Sequence, residues 1–213
     1  MFDRIAPVYD VMNRVMTVGL DLRWRRFAAQ AAVRPGDRVL DAACGTGDLA
    51  IADLKAGAAV VTGLDFSARM LERARRKDDR TGWVQGDMLA LPFPDATFDA
   101  ATVGFGVRNV ADLELALREL RRVLGPGGRL AILEITQARG VLRPFFSLWF
   151  DRVVPLLGRV LPGGSAYSYL PESVKRFPDA ESLAALLGEC GFAEVRFRLL
   201  GGTIVAIHTG VAA

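Results

Sequence analysis

The sequence predicts an α/β fold: a doubly wound, seven-stranded, mostly parallel sheet that ends in an antiparallel C-terminal hairpin. Three observations predict it. Apolar runs rich in Val, Ile and Leu alternate with helical patterns between residues 38 and 135, as βαβ units require. The stretch VLDAACGTGDLA, residues 39–50, reads as a strand that enters a glycine turn and leaves as a helix. Two later β-type runs are joined by Gly201-Gly202, a hairpin signal.

The elements follow in order. Strands are expected at 38–43, 59–65, 82–86, 98–104 and 129–135, with helices at 47–56, 67–78 and 111–124 between them. Gly125-Pro126-Gly127-Gly128 should stop the last of these helices, because glycine takes a left-handed cap and proline cannot continue a helix. A helix at 179–190 and strands at 193–200 and 203–210 complete the pattern. Residues 1–33 precede the first strand as a helical cap, and 140–178 interrupt the alternation as an inserted helical lid. With 213 residues and 51% hydrophobic content, the chain suits a single domain spanning 1–213.

Composition narrows the function classes. The 27 basic residues are interspersed with 24 acidic ones, and the densest clusters, Arg23-Arg25-Arg26 and Arg73-Arg75-Arg76-Lys77, fall on expected helices as solvated faces. No nucleic-acid partner is expected, since no basic module interleaved with aromatics occurs. Cys44 and Cys190 lack metal-ligand spacing and imply neither a metal nor a disulfide framework. The start, MFDRIAPVYD, has no basic region followed by an apolar one, and no run of about 18 uncharged apolar residues occurs, so a cytoplasmic protein is expected.

In a sheet of this kind a ligand lies beyond the carboxyl ends of the strands. Written as Gly45-x-Gly47-x-x-Ala50, the first turn satisfies a dinucleotide fingerprint, which a glycine loop alone does not establish. The strand ends are acidic: Asp41 and Asp48 at the first, Asp65 at the second, Asp87 at the third. A carboxylate at Asp48 would repel a pyrophosphate approaching the helix N-terminus. S-Adenosylmethionine, with a sulfonium, an ammonium, a ribose diol and an adenine but no phosphate, suits such a site better. The backbone of Gly45 to Gly47 would pass close to its methionine part. Asp65 would accept from ribose hydroxyls and Asp87 from the adenine amine, with Met88 packed on the ring or donating its backbone N–H. The plainer reading makes Asp48 a helix cap and Asp65 and Asp87 turn residues.

With these residues in place, the chain resembles the ubiquinone/menaquinone biosynthesis C-methyltransferase family of class I S-adenosylmethionine-dependent methyltransferases. The matching stretches are MFDRIAPVYDVMN, WRR, VLDAACGTGDLA, LPFPDATFDAATVGFGVRN, ALRELRRVLGPGGRLAILE, YSYLPESVKRFP and GGTIVAIHTG, which together span nearly the whole chain. FGVRN, YSYLPES and VAIHTG are the most specific. The resemblance implies cofactor contacts from Thr46, Asp65 and the pair Asp87-Met88. It departs at Gly104, where the family often has a serine, and at Gly125, where a lysine commonly precedes PGG.

The reaction the resemblance implies is methylation of a ring carbon of a prenylated quinol, 2-demethylmenaquinol to menaquinol or the methoxy-benzoquinol step of ubiquinone synthesis. Carbon attacks the methyl group well only after the phenol proton leaves, so the site needs a place for a phenolate and a route for a proton. Arg108 and Asn109, just past the fourth strand, are assigned to the quinol oxygen, with Arg108 stabilising the phenolate or, on the alternative reading, forming an ion pair over the strand end. Tyr9, Tyr169 and His208 are further candidates for binding or proton transfer, and a structural imidazole is an equal reading of His208. Cys44 reads as a small residue in a tight turn.

The segment GVLRPFFSLWFDRVVPLLGRVLPGG, residues 140–164, interleaves Phe145, Phe146, Trp149 and Phe150 with arginines. Broken by Asp151 and Pro155, it does not read as membrane-spanning. It can cover the active site, rest in a membrane interface or pack as an ordinary helix. Peripheral membrane contact and a homo-oligomer are both left open. Two other functions compete: a methyltransferase acting on another small molecule, and a nucleotide-dependent oxidoreductase. An adenine N-methyltransferase is disfavoured, because GFGVRN stands where an Asn/Asp-Pro-Pro-aromatic run would be expected.

Overall fold

A computed structural model describes residues 6, 9–137, 173–174 and 176–213. Tyr169, the aromatic segment 140–164 and most of the expected lid lie outside the described residues. Two N-terminal helices, α1 (Tyr9–Thr17) and α2 (Leu20–Ala32), lead into β1 (Arg38–Ala42), α3 (Asp48–Ala56), β2 (Val60–Asp65), α4 (Ala68–Lys77) and β3 (Gly82–Gln85). Then follow β4 (Phe98–Gly104), a 3-10 turn (Val107–Asn109), α5 (Leu113–Val123), β5 (Leu124–Ile135), α6 (Ala180–Glu189), β6 (Phe192–Leu200) and β7 (Val205–Ala212).

The helices begin where side chains can satisfy their free N–H groups. Ser67, Asp112 and Asp179 accept from Met70, Leu115 and Ser182 respectively, the N-cap geometry that starts α4, α5 and α6. The strands form one seven-stranded sheet in the order β3-β2-β1-β4-β5-β7-β6. The first five are parallel, and β7 inserts antiparallel between β5 and β6. The crossovers through α3 and α4 step toward β3 while that through α5 steps the other way. Right-handed connections therefore place α5 on the face opposite α3 and α4.

The alternation of strand residues builds a core on each face. Leu130 and Ile132 of β5 pack with Leu117 and Leu120 of α5 and Leu183 and Leu187 of α6. Leu133, one residue on, faces Trp24 and Ala28 of α2 and Leu49 of α3. After β3 the chain crosses back to lay β4 on the other side of β1, so the switch in strand order lies between β1 and β4, where an open α/β sheet forms its crevice.

One boundary differs from expectation. Helix α5 ends at Val123 with Leu124 already extended, and Leu124 pairs with Phe98 before the GPGG run. The pairing then jumps from Phe98↔Leu124 to Ala100↔Arg129, so the run bulges out of the sheet and does not cap the helix. Gly127, at φ 72, supplies the left-handed residue this detour needs. The hairpin between β6 and β7 turns on four residues, the 3-10 segment Gly201–Thr203 and Ile204, two more than the expected Gly-Gly.

Candidate active site

A cleft of about 270 Å³ opens at the carboxyl ends of the parallel strands. Its wall carries Gly45, Asp65, Asp87 and Met88 on one side and Gly104, Phe105, Gly106 and Asn109 on the other, with Tyr9 of α1 reaching in from above. The order of the strands brings these residues together from across about 100 positions of sequence.

The glycine loop is a tight turn in which Gly47 N–H donates to the Cys44 carbonyl at 2.9 Å. Its two glycines serve different purposes. A Cβ on Gly47, at φ 83, would lie 2.5 Å from the Trp83 ring, so this glycine lets the indole wedge beneath the loop. A Cβ on Gly45 would meet only Tyr9 Cε1 at 3.9 Å, and this glycine is the one that clears the cleft. Asp65, 7% exposed, braces the loop: its carboxylate accepts from Gly45 N–H at 2.8 Å and from Ser67 N–H at 2.9 Å. Asp87 accepts from Leu89 N–H at 2.9 Å, and Met88 is buried between the cleft and the core.

Thr46 and Asp48 are bonded to side chains of α1 and α4. Neither lines the cleft. Thr46, 2% exposed, donates its hydroxyl to Asp10 of α1 at 2.6 Å and accepts from Lys77 at 2.9 Å. Asp48 is paired with Lys77 and with Arg14, both at 2.8 Å. Burial would raise its carboxyl, but Lys77, Arg25 and Arg14 together outweigh burial and hold it below the usual range. A carboxylate matched by two cations repels little, which removes the argument from Asp48 against a phosphate. Its work is to tie α1 and α4 to the loop.

Arg108 is 7% exposed at the side chain and forms a buried ion pair with Glu134, itself 1% exposed. Its guanidinium also donates to the Phe105 carbonyl at 2.8 Å, and Glu134 accepts from the Ile135 N–H at 2.8 Å. Arg108 thus stands behind the cleft wall while its neighbour Asn109 forms part of it. His208 is 1% exposed inside the sheet and does not reach the cleft. Its Nε2 lies 2.8 Å from the Ala180 carbonyl, which can only accept, so Nε2 carries the hydrogen. Burial lowers its pKa and keeps the ring neutral, in keeping with a structural imidazole.

A buried cluster behind the loop was not legible as such. Asp41 and Asp53 are both wholly buried; Asp53 accepts from the Thr102 hydroxyl at 2.7 Å, and neither Asp41 oxygen has a hydrogen bond. Burial pushes the Asp41 carboxyl up to about 8 against the opposing charge of Arg25. An acid whose folded pKa exceeds its unfolded value keeps a proton in the native state that the unfolded chain has released. Its contribution to stability therefore falls as pH rises from about 4 to about 8. Asp41→Asn is expected to gain stability relative to the wild type across that window. Urea titrations of both proteins at the two ends check it, and a difference independent of pH would mean that Asp41 is already ionised in the fold.

Comparison with known proteins agrees with this geometry. The ubiE/COQ5 methyltransferase family matches residues 1–212. A Thermus thermophilus protein named demethylmenaquinone methyltransferase is 48% identical over 99% of both chains. A Xanthomonas axonopodis protein named ubiquinone/menaquinone biosynthesis C-methyltransferase UbiE is 42% identical over 99% of this chain and 87% of its own. Among solved structures, a SAM-dependent methyltransferase of Thermotoga maritima superposes with a TM-score of 0.68 over the full length of both chains at 22% identity.

Proposed function

The chain belongs to the ubiE/COQ5 methyltransferase family, and from that premise we propose that it methylates a ring carbon of a prenylated quinol with S-adenosylmethionine, converting 2-demethylmenaquinol to menaquinol. The observation that carries the reading is the 48% identity, over nearly the whole of both chains, to a relative named for that reaction. The cleft supports it. Gly45 leaves its face of the cavity clear, and Asp65 and Asp87 offer carboxylate acceptors on successive strand ends, as a ribose diol and an adenine amine require.

When bound, the donor supplies an electrophilic methyl group on a positively charged sulfur. The residues of the chain then have three tasks. Asp65 holds the loop and the ribose together, since its carboxylate lines the cleft while it accepts from the Gly45 and Ser67 N–H groups. Asn109 faces the cavity, where its amide can donate to the quinol oxygen as the phenol proton leaves. Phe66, Met88 and Phe105 make the surrounding wall apolar, which keeps water from the acceptor ring and strengthens the polar contacts inside. Arg108 acts through its neighbours as a positioning residue, holding the Phe105 carbonyl and with it the turn that carries Asn109.

A prenylated substrate lives in a bilayer. Among the described residues no helix is long and apolar enough to cross a membrane. The test is direct: purified protein with labelled S-adenosylmethionine and 2-demethylmenaquinol should yield labelled menaquinol by mass. The ubiquinone precursor, offered in parallel, is expected to react more slowly. If neither quinol is methylated while donor binding is intact, the acceptor is another small molecule.

A further inference from the structure

Arg25 of α2 has no evident task in the reaction as set out above. It is 4% exposed, and its Nε has no hydrogen bond. Its nearest carboxylate oxygen, on Asp21, stands 3.8 Å from Nε and is already bonded to Arg14. Beyond that shared oxygen its charge acts on Asp41 and Asp48 only without a hydrogen bond, and a buried guanidinium so loosely matched is costly.

Its position says where the missing partner comes from. The guanidinium lies over the Phe105 ring, 5.2 Å from its centroid, and Phe105 lines the cleft. A Cβ on Gly104, the adjoining wall residue, would approach Arg25 Nη1 to 2.9 Å. Arg25 does not itself line the cleft, and the bare glycine is all that stands between its Nη1 and the cavity wall. Other cations near the loop are committed: Arg14 pairs with Asp21 and Asp48, Lys77 with Asp10 and Asp48.

We infer that Arg25 binds the α-carboxylate of the methyl donor's amino-acid end, across the gap that Gly104 leaves. The inference rests on the proposed reading of the cleft. With ribose and adenine at Asp65 and Asp87, the amino-acid end is directed past Gly45 toward Gly104. That end carries a carboxylate, and the planar guanidinium offers it a fork of donors. The contact also neutralises Arg25 at the moment of binding, so the same ion pair contributes to donor affinity and relieves the buried charge.

Calorimetry with S-adenosylmethionine and its decarboxylated analogue, which lacks only this group, tests the assignment without turnover. The wild type is expected to prefer the carboxylate-bearing donor by about 10- to 100-fold, the range for hydrogen bonds to a charged group. Arg25→Met should erase the preference by weakening S-adenosylmethionine alone, and Arg25→Lys should restore part of it. Equal weakening of both compounds would make Arg25 a structural residue and overturn the inference, as would a wild type that binds both equally. A wild type that binds neither compound overturns the methyl-donor reading itself. Should Arg25→Met fail to fold, Gly104→Ala supplies the test: it keeps the charge, pushes the guanidinium away from the cleft wall and should cut the preference. An unchanged preference in that variant also overturns the assignment.

Discussion

The oxidised quinone is expected to accept no methyl group, whereas the quinol of the same compound is methylated at the full rate. The reason lies in the acceptor carbon. In the quinol, loss of a phenol proton spreads negative charge to the ring position beside the oxygen, and that carbon can attack the methyl group as its bond to sulfur breaks. The quinone is electron-poor and has no such proton. Among the described residues the cleft lining includes Phe66, Met88, Phe105 and the amide of Asn109, none of which delivers electrons. The measurement uses labelled S-adenosylmethionine and 2-demethylmenaquinone with and without dithionite. Each single electrostatic donor in such a site is worth on the order of 100-fold in rate, so the contrast between redox forms should far exceed any single substitution. Equal methylation of the two forms would sink the carbon-nucleophile mechanism.

Arg108→Met is expected to lower unfolding free energy by about 3–5 kcal/mol, because it strands the Glu134 carboxylate in the interior without its partner. Glu134 is 1% exposed at the side chain, so water cannot replace the guanidinium. Urea denaturation of the purified variant reads the loss. The double variant Arg108→Met/Glu134→Leu should regain most of it, since a pair of apolar residues has no charge to desolvate. Its turnover should nevertheless stay low, by about 100-fold, because the Phe105 carbonyl loses its donor and the turn carrying Asn109 loses its register. Donor affinity should change little. A double variant with wild-type turnover would confine Arg108 to covering the strand end, and a single variant of unchanged stability would mean that Glu134 takes up a proton at no cost.

The elements that were legible share a local cause. The parallel strands announce themselves because residues such as Val39, Leu40, Val61, Leu130 and Ile132 are buried on both faces of a covered sheet and so read as continuous apolar runs. Ser67, Asp112 and Asp179 mark helix starts because a cap is made within three residues. The GPGG run misled because its conformation is set by β4. Only the pairing of Phe98 with Leu124 turns a helix stop into a bulge.

The same division runs through the candidate site. Asp65 and Asp87 could be read from the chain because each follows its own strand and faces the crevice by the geometry of the sheet alone. Thr46 and Asp48 sit in the same loop, yet their partners, Asp10, Arg14 and Lys77, arrive from α1 and α4 and tie the loop to those helices. Arg108 meets Glu134 from 26 residues away, and Arg25 meets Gly104 across 79 positions of chain. The sequence by itself determined the strand order's raw material, the glycine turn and the acidic strand ends, since periodicity, capping and turn chemistry act between near neighbours. Which charges are neutralised, which carboxylates are buried bare and which cation lies behind Gly104 were decided only by the tertiary structure. Electrostatic free energy depends on desolvation and on distances between groups far apart in the chain, and neither exists until the fold closes around them.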